Sequence, residues 1–169
     1  MLNLLSAAAG FLLLSCDSIV DDRIPAYPVA INLGDTGLWN TYGVAGFGIY
    51  RNFIKDATPS SPSGFAYTAT SYTGFGGVLL IGGMDPYSGN TNVPLAYDLA
   101  CPVEVKPDVR VRIDPETFNA VCPVCGSVYD VTMSAGAPLS GPAAAPNMKY
   151  RLQNYSVLGT QLGGYIITR

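Results

Sequence analysis

Four cysteines and no histidine are the chemically decisive feature of this chain. Three of the cysteines sit in two short loops, Cys101-Pro102-Val103-Glu104 and Cys122-Pro123-Val124-Cys125-Gly126-Ser127-Val128-Tyr129-Asp130. Thiolates so placed can ligate a metal: Cys122 and Cys125 have the Cys-x-x-Cys spacing of zinc ligands, and Cys101 can add a third thiolate. The nearest carboxylates, Glu104 and Asp98, are the candidates for a fourth ligand. A redox pair within Cys-x-x-Cys is also possible, although the segment follows a β-hairpin and lacks the βα setting of thioredoxin-like enzymes. The lack of histidine excludes Ser-His-Asp and Cys-His catalysis. The Gly-rich runs at Gly74–Gly77 and Gly82–Gly83 have no Walker lysine, so a phosphate cradle is excluded too. No catalytic residue is assigned.

The two loops resemble the Rieske iron-sulfur domain, in which each loop gives one Cys and one His to a [2Fe-2S] cluster. That family reads Cys-x-His in the first loop and Cys-x-x-His in the second, the latter continuing Gly-Ser-x-aromatic-Asp. Here the four ligand positions are Cys101, Val103, Cys122 and Cys125, so one histidine position is valine and the other cysteine. The resemblance runs from about Val93 to Arg169 and includes Gly136 and Gly141-Pro142-Ala143, which is similar to the Pro-rich loop over the cluster. It implies an all-β fold of small antiparallel sheets or a β-sandwich with both cysteine loops at one tip. It also implies that the hydroxyls of Ser127 and Tyr129 donate to cluster sulfur and tune it; alternatively, Ser127 and Tyr129 belong to a tight turn and the core. Of the two cysteines that would share an iron, Cys101 and Cys122, the resemblance suggests a disulfide in an oxidising compartment, with Cys125 left free or taking the partner's place. Closing about twenty residues, that bond contributes roughly 3 kcal/mol. The expectation is a scaffold without a classical cluster; the alternatives are a [2Fe-2S] electron carrier on Cys101, Cys122 and Cys125, and a zinc scaffold on the same three.

The elements that must position these loops read as strands. Ala26–Leu33 is a first strand, with a turn at Gly34–Gly37, and Gly43–Phe53 is a Gly-interrupted second strand. Asp56–Gly64 is a loop. The continuous apolar run Gly77–Met84 suits a buried central strand, followed by the polar loop Asp85–Asn90. Leu95–Ala100 leads to the first cysteine loop. Val109–Ile113 alternates apolar and cationic residues and turns through Asp114–Thr117 into Phe118–Val121, a hairpin that delivers the second. Lys149–Val157 and Gly164–Thr168 close the chain, and no internal repeat is expected.

Nineteen glycines, thirteen prolines and eleven tyrosines, with 12% charged residues, favour a turn-rich all-β domain. Nine Lys and Arg are scattered against twelve Asp and Glu, which excludes a nucleic-acid footprint. Residues 1–15 are uncharged and rich in Leu and Ala, ending Leu13-Leu14-Ser15 before Cys16. They resemble a bacterial lipoprotein signal, with Cys16 the lipidated residue, residues 16–25 a tether and 26–169 the folded domain. That implies a domain held outside the cytoplasm on a bacterial membrane, with a structural or binding role and a protein partner that the sequence does not name.

Overall fold

The structure, a computed structural model, describes residues 19–133, 135–146 and 149–169; the apolar leader and Cys16 lie outside them. In chain order the elements are β1 (Ile19–Val20), β2 (Val29–Asp35), α1 (Thr36–Tyr42), β3 (Tyr50–Phe53), β4 (Tyr72–Thr73), β5 (Val78–Gly83), β6 (Val93–Asp98), β7 (Arg112–Ile113), β8 (Ala120–Val121), β9 (Val128–Asp130), β10 (Ala137–Ser140), a 3-10 turn (Pro142–Ala144), β11 (Lys149–Tyr150), β12 (Asn154–Gly159) and β13 (Gly163–Thr168). The class is all-β. A seven-stranded antiparallel sheet, ordered β3-β5-β6-β12-β13-β2-β4, curls into a nearly closed barrel. A four-stranded antiparallel sheet, β10-β9-β8-β7, forms the second layer, and β1 pairs in parallel with β11.

The apolar run expected as a central strand is one. Val78, Leu79, Leu80 and Ile81 are all inaccessible to solvent, flanked by β3 and β6. Because side chains alternate across a strand, this one run serves two cores. Val78 and Leu80 join Val29, Ile31, Leu33, Phe53 and Ile167 inside the curled sheet. Leu79 and Ile81 join Tyr97, Leu99, Val111, Tyr129, Val131 and Leu152 beneath the cysteine loops.

Two expected elements differ. The turn at Gly34–Gly37 is instead the end of β2 followed by α1, because the Asp35 carboxylate accepts from Leu38 N at 2.9 Å and caps a helix that closes at Gly43. Of the strand expected over Gly43–Phe53, only Tyr50–Phe53 is extended. Gly46 and Gly48 take positive φ (101° and 76°), and the loop instead bonds β5 through Gly48 N to Gly82 O and Gly82 N to Ile49 O.

The stretch expected as a tether is partly folded against the domain. Besides β1, Ile24 is buried, Arg23 Nε donates to Pro102 O at 3.1 Å, and the Arg23 guanidinium lies 4.5 Å from the Tyr150 ring centre.

Where β6 ends, the Asp98 carboxylate is wholly buried and accepts from Phe75 N (2.9 Å), Gly76 N (3.0 Å), Ala100 N (2.7 Å) and Tyr155 Oη (2.6 Å). Burial raises its pKa, and the donated hydrogen bonds, that of Tyr155 foremost, act against the rise. Asp98→Asn turns an amide N–H2 toward this ring of donors. The expected cost is about 3 kcal/mol in urea unfolding of the full chain; a loss below about 0.5 kcal/mol, the range of ordinary surface substitutions, contradicts this role.

Candidate metal centre

The first cysteine loop leaves β6 and returns through an Ala100–Arg110 bridge, while the second joins β8 to β9. Both loops fold into the same turn. Val105 N donates to Cys101 O at 2.9 Å, and Gly126 N donates to Cys122 O at 3.0 Å. In each, Pro follows the leading Cys, Val follows Pro, and the residue four places on is left-handed, Val105 at φ 51° and Gly126 at φ 70°. Cys-Pro-Val-Glu-Val and Cys-Pro-Val-Cys-Gly are thus two copies of one turn. Glycine adopts that conformation freely, whereas a β-branched residue is held there at a cost of about 1–3 kcal/mol.

The doubled turn aims three sulfurs at one point. The Sγ atoms of Cys101, Cys122 and Cys125 all lie within 4.8 Å of one another, with Cys101 and Cys125 3.6 Å apart. Thiolates on one tetrahedral zinc ion, at about 2.3 Å from it, stand about 3.8 Å apart. Cys101 and Cys122 are buried, Cys125 is partly exposed, and all three are free thiols. Cys101 and Cys125 approach to 3.6 Å, and Cys122 lies within 4.8 Å of both, so no one pair is singled out for a disulfide.

The surroundings of the sulfurs are rich in donors. The Cys101 sulfur is approached by the Tyr129 hydroxyl at 3.4 Å and by the N–H groups of Glu104 and Val103. Ser127 Oγ lies 3.1 Å from Cys125 Sγ. In the thiol form the Cys125 S–H donates to that oxygen, which also accepts from Ala143 N at 3.0 Å; when Cys125 is ionised the hydroxyl proton turns to the sulfur. Burial pushes the Cys101 thiol up to about 12 in spite of its donors. At Cys125 partial burial also raises the pKa, but the Ser127 hydroxyl and N–H and the neighbouring thiols outweigh it, leaving that thiol below its ordinary value. Burial, with the Cys101 bond next, raises Tyr129, so its phenol remains a donor.

Ser127 and Tyr129 therefore come together with the three cysteines. Val103, at a position where the Rieske pattern has histidine, packs its hydrocarbon against the core beneath the loops. Asp98, one of two carboxylates considered for a fourth ligand, is corrected: both its oxygens are engaged by backbone donors and Tyr155. Sequence reasoning missed the N–H donors of Val103 and Glu104 and the Ala143 bond to Ser127. It also missed the repeated turn, whose signal was Cys-Pro-Val written twice. Comparison with protein-family models, curated proteins and solved structures yields no match.

The opposite shifts of two neighbouring thiols give a kinetic prediction. In the reduced, metal-free full chain at pH 8, limited iodoacetamide should label Cys125 at least about tenfold faster than Cys101, read by peptide mapping. Equal labelling, or Cys101 first, contradicts the assigned environments.

Proposed function

We propose that this protein is a metal-stapled β scaffold, in which Cys101, Cys122 and Cys125 hold one thiophilic divalent ion of the zinc class between two loops. The convergence of the three sulfurs within 4.8 Å carries the reading, because it matches thiolates on one ion. Hydroxyl and amide donors spread the thiolate charge, and the ion supplies the positive charge that the buried Cys101 otherwise lacks. The role is structural or binding: an ion joining the loops orders the tip and keeps its thiols from pairing with each other.

An iron-sulfur electron carrier is favoured by one observation, the Ser127 and Tyr129 hydroxyls facing sulfur. The donor set does not fit the Rieske cluster. Val103 has no lone pair, and three sulfurs crowd one point where two irons need two separated pairs of ligands.

In the same proposal Cys16 is the lipid-bearing residue that holds the domain on the outer side of a bacterial membrane, with Arg23 docking the emerging chain onto the first cysteine loop. Its expected result is that Cys16→Ala releases the protein into the soluble fraction, while unchanged sedimentation with membranes refutes the anchor.

For the ion, full chain purified without oxygen should carry about one zinc, no acid-labile sulfide and no visible absorbance. Free zinc at about 100–1,000 times its dissociation constant should add about 3–4 kcal/mol. For a chain of this size that is about 6–16 °C in thermal midpoint, and Cys122→Ser should abolish the gain. Iron with sulfide points to the electron carrier, and zinc-independent melting returns the protein to a metal-free scaffold.

A further inference from the structure

We infer that Glu104 is the fourth ligand of the three-cysteine site, an assignment that rests on the metal reading above and extends it. The argument is the equivalence of the two turns. In the second loop both ligands come from one turn: Cys122 opens it and Cys125 stands three residues on. The first loop repeats that turn in its closing hydrogen bond, its Pro and Val, and its left-handed fifth residue. Cys101 opens it, and the residue three places on is Glu104. Two such turns facing one point present four side chains, in the order Cys, Glu, Cys, Cys.

Three further observations bear on this. Glu104 is partly exposed, so its carboxylate is free to move, and it stands outside the group of sulfurs within 4.8 Å. Three rotatable bonds let a glutamate close on an ion, and its oxygen binds zinc at about 2.0–2.2 Å. Asp98, the other carboxylate weighed as a ligand, is fully occupied. Lastly, Val105 is a β-branched residue in the left-handed region; such strain collects where a backbone must aim a functional group. With Val105 left-handed, the first turn has the form that places residue 104 as the second turn places Cys125.

The site so completed has three sulfurs and one oxygen, with no position left for a substrate. That separates a closed structural centre from a catalytic one, which keeps a place open.

The test is Co2+ titration of the reduced full chain, read by thiolate-to-cobalt charge transfer in the near ultraviolet and by d–d bands in the visible. The unsubstituted chain should give charge transfer from three thiolates and the intense d–d bands of a tetrahedral ion. Glu104→Gln should weaken Co2+ by more than about tenfold and shift the d–d bands while the charge transfer persists. Glu104→Cys should bind at least as tightly as the parent and raise the charge-transfer intensity by about a third, the effect of adding one thiolate to three. If Glu104→Gln leaves affinity and d–d bands unchanged, or Glu104→Cys adds no charge transfer, the fourth ligand is not Glu104 and the three-cysteine site still stands. If the unsubstituted chain shows no thiolate-to-cobalt charge transfer, the site reading fails and the ligand assignment fails with it.

Discussion

The buried carboxylate of Asp98 fixes where the first cysteine loop begins. It gathers the N–H groups of Phe75, Gly76 and Ala100 and the hydroxyl of Tyr155, and so binds the turn before β5, the end of β6 and strand β12 into one joint. Cys101 is the next residue after Ala100. A buried carboxyl group with four donors has little freedom to shift, so the sulfur of Cys101 inherits its place from the joint. Tyr97 in β6 and Leu99 just beyond its end, both facing away from Asp98, hold the cysteine layer against β5. The barrel-like sheet is thus the foundation of the tip, and the apolar run of β5 is what lets two cores share one wall.

At the tip two opposing demands meet. Thiolates brought together in a buried place repel, and burial alone drives Cys101 toward the neutral thiol. Amide and hydroxyl donors around the sulfurs work in the other direction, and Ser127 Oγ, held by Ala143 N, turns its proton to Cys125 when that thiol ionises. Such an arrangement serves anionic sulfur, and a divalent ion is the natural countercharge. The strain at Val105 belongs to the same picture, since a relaxed first loop would not repeat the turn of the second.

The fold was legible where hydrophobicity spoke without ambiguity. Val78-Leu79-Leu80-Ile81 suited a strand buried on both faces, and the alternation from Val109 to Ile113 placed the hairpin between the loops. The helix Thr36–Tyr42 was not legible: Asp-Thr-Gly reads equally as a turn, and only the Asp35 bond to Leu38 makes it a cap. Nor did Gly43–Ile49 disclose that its glycines serve a loop pressed against Gly82, whose carbonyl and amide it bonds. At the site, the three cysteines could be read from spacing, and the two hydroxyls only from the resemblance to the Rieske loops. The geometry of convergence could not. Matching the loops to Cys-x-His and Cys-x-x-His set Val103 against Cys125, one residue out of step with the turn's own register, in which Glu104 is the counterpart of Cys125.

The most direct measurement of the central claim is X-ray absorption at the metal edge on full chain purified without oxygen. One zinc with three sulfur neighbours at about 2.3 Å, one lighter atom at about 2.0–2.2 Å and no metal–metal vector is the predicted result. Iron with a short metal–metal vector and bridging sulfide, or a zinc shell without sulfur, contradicts it.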